Sequence, residues 1–185
     1  LITSGAYVNS EMSSDFGLIP TSFLPVGHKR LIEHQIELIK DFKATIIISL
    51  PNDFKLLKRD AKLLSENEIF IHRTDSNLSL NKSIVGFINE YEKNHIIEEL
   101  YILHGDTSFQ TIEQKTDLLY YGETNLFYKW GYLKDVIGRT IKSENHKQLV
   151  VAGYFTFSNP SFFKEKLSEN NLFETSLINY NKKIN

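Results

Sequence analysis

The residues best placed to do chemistry lie in mid-chain, where Leu100-Tyr101-Ile102-Leu103-His104 runs straight into Gly105-Asp106-Thr107. An apolar strand that ends on Gly-Asp delivers a carboxylate to the carboxyl end of a sheet strand, the edge at which open α/β sheets bind ligands. The glycine lets the chain turn sharply and keeps side-chain bulk away from whatever the aspartate holds. A carboxylate in that position suits a hard divalent cation that carries a nucleotide's phosphates. The same Asp106 also reads as a plain strand-end aspartate closing a turn.

Other candidates are weaker. Ser4, Gly5 and Ala6 follow an apolar stub, and backbone N–H groups of such a loop can cradle phosphate; an ordinary turn fits equally well. Glu123 and Trp130 lie in an aromatic segment that offers a face to a sugar, or for Trp130 simply core packing. Gly153 sits inside an apolar run, where glycine marks either close approach of a ligand or a β-bulge. The six His residues at 28, 34, 72, 95, 104 and 146 show no metal-ligand spacing, although His104 adjoins Asp106. There is no GxSxG elbow and no P-loop pattern.

The elements that must position these residues alternate in the first half. Residues 1–3 are the stub of a strand already under way, with chain expected before it. Residues 4–27 lack periodicity and read as a long loop of the kind that is functional or mobile. Residues 28–42 place Leu31, Ile32, Gln35, Ile36, Leu38, Ile39 and Phe42 at helical spacing. Residues 44–50 (ATIIISL) form a continuous β-branched run, the mark of a strand buried on both faces, and Pro51 ends it. A helix over 54–65, a strand over 69–72, a helix over 81–92 and the strand over 98–103 follow. This order calls for parallel strands joined by right-handed crossovers. After Asp106, strands over 117–123, 126–133 and 148–158 without long helices between them suggest antiparallel additions. Asn159-Pro160 then opens a helix with Asn159 as N-cap, and 173–181 reads as another.

Bulk composition fits this picture. The 185 residues are 41% hydrophobic and 24% charged, enough for an ordinary core in one domain. A net charge of −2 argues against a nucleic-acid binder. The absence of cysteine excludes disulfides and thiolate metal sites and fits a cytoplasmic protein. No signal peptide is visible, and no apolar run approaches the roughly 18 residues of a membrane span.

Three segments in order then carry a resemblance. They are Pro20-Thr21-Ser22-Phe23-Leu24-Pro25-Val26-Gly27-His28-Lys29-Arg30-Leu31-Ile32, the Gly105-Asp106 pair, and Ala152-Gly153-Tyr154-Phe155-Thr156-Phe157-Ser158-Asn159-Pro160. Together they resemble the sugar-phosphate nucleotidyltransferases, whose three-layer α/β/α Rossmann-like (GT-A-like) fold has a mostly parallel sheet with antiparallel additions. The resemblance implies a single domain over 1–185, with a nucleotide-binding half (1–110) and a substrate half (111–185) that family members usually extend further. It implies transfer of a nucleoside monophosphate from an NTP to a sugar phosphate or phospho-alcohol, with release of pyrophosphate, in surface-polysaccharide precursor synthesis. The implied cofactor is Mg²⁺ or Mn²⁺ on Asp106. Ser4, Gly5, Ala6, Gly105, Asp75 and Ser79 would line the nucleotide, the last two from the loop that leads into the helix over 81–92, where a plain helix entry with Asn77 or Ser79 as cap fits equally well. Glu123, Trp130, Gly153 and Tyr154 would meet the acceptor. No nucleic acid and no membrane insertion are implied, and oligomerisation is left open.

Several positions depart from the family pattern. The first loop keeps one glycine, with Glu11 near an expected arginine. Thr21 stands where the family places a phosphate-binding lysine, and threonine cannot supply that charge. Lys29 and Arg30, at the helix start, are the nearest replacements. No later metal-binding aspartate is evident. The rivals are therefore a relative that keeps the fold and binds without catalysis, a fragment whose missing part completes the site, and a GT-A glycosyltransferase. The last would normally show Asp-x-Asp, which Gly105-Asp106-Thr107 is not.

Overall fold

The computed structural model describes residues 1–124 and 148–184. The strand expected over 126–133 and the position of Trp130 lie outside the described residues.

The first half holds β1 (Ile2–Thr3), α1 (Ser10–Phe16), a 3₁₀ turn (Thr21–Phe23), β2 (Pro25–Val26), β3 (Lys29–Arg30), α2 (Leu31–Ile39), β4 (Ile47–Pro51), α3 (Lys58–Glu66) and β5 (Phe70–Thr74). After these come α4 (Leu80–Tyr91), β6 (Leu100–His104), β7 (Leu119–Thr124), β8 (Gln148–Phe157), α5 (Pro160–Glu169) and α6 (Phe173–Ile184). Among the described residues the sheet has six strands in the order β5-β4-β1-β6-β8-β7. β1 pairs in parallel with β4 and with β6, and β4 with β5, while β7 and β8 are antiparallel. The α/β class, the parallel core and the antiparallel addition are as the sequence led one to expect. Among the described residues, no helix is long and apolar enough to cross a membrane.

Two compact units emerge. One comprises Leu1–Leu78 with Ile102–Lys115, the other Ser79–Tyr101 with Thr116–Asn185. In the first, all five residues of β4 are buried, as a central parallel strand requires. Leu31, Ile32, Ile36 and Ile39 of α2 join this core. In the second, an aromatic core forms from Phe155, Phe157, Phe163, Phe173 and Tyr180. Phe157 stacks on Phe163 at 3.6 Å between centroids, and Tyr180 meets both rings edge-on. The N-terminus of α5 is as expected: Asn159 accepts from the Phe162 N–H at 3.0 Å, with Pro160 at the first helical position.

The expected loop over 4–27 is more structured than its sequence suggests. Asn9 caps α1 by accepting from the Met12 N–H at 2.9 Å, and Gly17 closes it at φ +75°. No residue of α1 is buried, so it has no apolar stripe for periodicity to reveal. The expected helix over 28–42 begins three residues later because Lys29 and Arg30 pair with Val26 and Pro25 in a hairpin turned at Gly27, φ +62°.

Candidate functional site

β1 lies between β4 and β6, so consecutive strands of the first unit leave β1 in opposite directions, and the carboxyl ends of β1 and β6 form a topological switch point. Thr3 and His104 are partners there, and they are the last residues of β1 and β6. His104 to Thr107 is a tight turn closed by the Thr107 N–H on the His104 carbonyl at 3.2 Å. Asp106 occupies its third position and is exposed. Its Oδ1 accepts from Thr107 Oγ1 at 3.0 Å.

Backbone groups of this turn are held from below by buried partners. The Gly105 N–H donates to the Thr3 carbonyl at 2.9 Å, and the Gly105 carbonyl accepts from Ser22 Oγ at 3.1 Å. Gln35 Nε2, from α2, donates to the carbonyls of His104 at 3.0 Å and Thr107 at 2.8 Å. Ser22 and Gln35 are both fully buried. Gly105 is sterically required: a Cβ there would stand 2.6 Å from the Thr3 carbonyl oxygen, 2.7 Å from Thr21 Oγ1 and 2.9 Å from Ser4 Cβ. The expected lack of side-chain bulk is therefore real, but it makes room for the protein's own strand end.

Ser4 is buried in the same polar cluster. Its N–H, which the sequence offers as a phosphate donor, is committed to Ser49 Oγ at 3.1 Å. Its Oγ accepts from the Ser22 N–H at 3.0 Å and lies 3.4 Å from Thr21 Oγ1. Gly5 and Ala6 come next in the chain, half-buried and exposed respectively. Beyond them Tyr7 donates to Asp53 Oδ1 at 2.7 Å. Partial burial, with the Asp53 bond and charge, pushes the Tyr7 phenol up to about 12, so it keeps its proton at neutral pH.

The two cations expected to replace the family lysine are paired. Arg30 is bound to the buried carboxylate of Asp60 on α3, and Lys29 lies 3.7 Å from Glu37 on α2. Asp75 accepts from the Asn77 N–H at 2.9 Å in the loop after β5. Ser79, in the other unit, caps α4 through the Lys82 N–H. In that second unit Glu123 is an exposed residue of β7. Gly153, at φ +31°, falls where the pairing slips between Leu119↔Phe155 and Tyr121↔Val151, which is a bulge. Tyr154 is 1% exposed and packs edge-on against Tyr120, which puts its ring in the core. Burial raises its phenol above the ordinary range, with Tyr101 and Tyr120 adding to the effect.

Among the described residues no three His, Asp or Glu side chains gather as a metal cage. An exposed lone carboxylate fits Mg²⁺, which keeps most of its waters and is commonly held by one or two carboxylates plus the phosphates of its ligand. Gln35 and Ser22 were not singled out from sequence. The one available signal was Gln35 itself, a polar side chain on the apolar stripe of α2.

No protein-family model matches the chain, and no curated protein matches it by sequence. Solved structures do match. CTP:phosphocholine cytidylyltransferase from Streptococcus pneumoniae superposes with a TM-score of 0.63 at 14% identity, over 100% of this chain and 85% of that one. The nucleoside-diphosphate-sugar pyrophosphorylase from Vibrio cholerae gives 0.62 at 12% identity, over 99% of this chain and 86% of that one. The inositol-1-phosphate CTP transferase from T. maritima gives 0.60 at 13% identity, over 99% and 79%. The chain shares its α/β fold with these three proteins.

Proposed function

We propose that the chain binds a nucleoside triphosphate at the carboxyl ends of β1 and β6, and that Asp106 holds the accompanying Mg²⁺ or Mn²⁺. The reaction is transfer of the nucleoside monophosphate to a sugar phosphate or phospho-alcohol, supplying a precursor for surface polysaccharide. The observation that carries the reading is Asp106, displayed on a turn that buried side chains pin at the switch point of this fold. When bound, the cation neutralises phosphate charge. The protein's own share is positioning: Gly105 gives close approach of the strand ends, and Gly5 and Ala6 line the nucleotide. Glu123 is the exposed candidate for the acceptor.

A second reading, binding without transfer, is favoured by the fate of the cations. Thr21 brings no charge, and Lys29 and Arg30 are ion-paired with Glu37 and Asp60. Phosphoryl chemistry depends on such charge neutralisation. Thermal shift with CTP, UTP, dTTP, ATP and GTP, each with and without Mg²⁺, tests the shared claim. Pyrophosphate release with a panel of phosphorylated sugars and alcohols separates the two readings. Release supports the transferase, whereas binding without release supports the binding domain.

A further inference from the structure

We infer that Gln35 is a positioning residue for Asp106, setting where the carboxylate stands by gripping the turn that carries it. This rests on the reading of Asp106 as the cation-binding carboxylate. Gln35 projects from the second turn of α2, a helix anchored in the core by Leu31, Ile32, Ile36 and Ile39. Its Nε2 bonds two carbonyls three residues apart, those of His104 and Thr107, and these bracket Gly105 and Asp106. Both partners are acceptors, so the nitrogen must face the turn. The opposite atom, Oε1, is buried and has no hydrogen-bond partner among the described residues. A buried orphan acceptor is unfavourable, so the side chain is held by what its two N–H groups do.

Few residues could replace it. Asparagine is one methylene shorter, methionine has no donor, and lysine would bury a charge. One –NH₂ with two hydrogens satisfies both carbonyls at once. Ser22 fixes the intervening Gly105 carbonyl, so the three carbonyls from His104 to Gly105 and Thr107 are all engaged. A carboxylate on so constrained a turn is already ordered before a cation arrives, and supports of this kind govern metal affinity.

The test uses the full chain and two probes. Calorimetry with CTP, in EDTA and in Mg²⁺, reads the metal-dependent gain in nucleotide affinity. In Gln35→Met that gain should fall about tenfold or more, with metal-free CTP affinity unchanged. A general folding defect would lower both. Amide exchange reads the turn directly: protection of the Thr107 N–H should drop roughly tenfold while β4 amides keep theirs. Unchanged protection at Thr107 overturns the inference, whatever the nucleotide result. Failure of the wild type to bind any nucleotide overturns the nucleotide reading alone, and the exchange arm still decides the role of Gln35. Gln35→Glu guards against a methionine variant that fails to fold. Its carboxylate cannot donate, but its protonated form offers one O–H, and burial raises the pH at which it protonates. Thr107 protection in Gln35→Glu should recover as pH falls from about 8 to about 5; a flat profile counts against the inference.

Discussion

The two units use the same device for different ends. In the first, the buried carboxamide of Gln35 donates from α2 to two carbonyls of the Gly105-Asp106 turn. In the second, the buried carboxamide of Asn81 donates from α4 to the carbonyls of Leu167 and Asn170, at 3.3 and 2.8 Å, and lies 3.2 Å from Ser176 Oγ. Each leaves its own amide oxygen buried, with no hydrogen-bond partner among the described residues. The difference is what they hold. Asn81 joins α4 to the junction of α5 and α6, all of it scaffold. Gln35 holds a turn whose outward side chain is an exposed carboxylate. A buried polar clamp is therefore not a sign of function by itself; what it displays to solvent decides.

That contrast can be broken most forcefully at Gly105. Gly105→Ala should cost about 3 kcal/mol, because the new Cβ would stand 2.6 Å from the Thr3 backbone oxygen as well as against the Thr21 and Ser4 side chains, and nucleotide affinity should go with it. Chemical denaturation and calorimetry read both. Asn81→Leu sharpens the contrast from the scaffold side. It removes the donor from the buried Leu167 carbonyl and the half-buried Asn170 carbonyl and should cost about 2 kcal/mol in denaturation, with nucleotide affinity unchanged in the folded fraction. Tyr180→Phe probes the same unit at smaller scale. Its hydroxyl donates to Asp117 Oδ1 at 2.9 Å and accepts the Asn159 N–H at 3.1 Å, so about 1.5 kcal/mol should be lost.

The smallest effect is on pH. Burial opposes ionisation of Asp117, but hydrogen bonds from Ser158 and Tyr180 outweigh it and hold the carboxyl below its usual range. A depressed folded value means the stabilisation is full above the unfolded value of about 3.9 and is lost as pH falls below it, through the folded one. Asp117→Asn, which mimics the protonated carboxyl, should flatten that acid limb in a melting-temperature series by lowering neutral stability slightly and leaving the acid value nearly unchanged. Asparagine tolerates the positive φ of +56° at this position.

Much of this architecture was legible in the sequence, and the failures have physical causes. The β-branched run before Pro51 announced a strand buried on both faces, and Asn159-Pro160 announced a helix start, because each signal is local. The hairpin over Pro25–Arg30 and the exposed helix α1 left no periodic trace. Gly105 and Gly153 both promised close approach. One is pressed against the neighbouring strand end and the other relaxes a bulge, and sequence alone cannot say what approaches a glycine. The burial of Tyr154 and the commitment of the Ser4 N–H to Ser49 depend on residues far away in the chain. So does the pairing of Arg30 with Asp60, thirty residues on. The grip of Gln35 on a turn some seventy residues away is of the same kind.

The central claim is that Asp106 is a cation-binding carboxylate displayed for a nucleotide. Calorimetric titration of wild type and Asp106→Ala with CTP, UTP, dTTP, ATP and GTP, with and without Mg²⁺, tests it most directly. The account predicts that one nucleotide binds the wild type more tightly with Mg²⁺, and that Asp106→Ala abolishes the Mg²⁺-dependent gain while keeping its fold. Binding that is indifferent to Mg²⁺ and to Asp106, or no binding by any of the five, would contradict it.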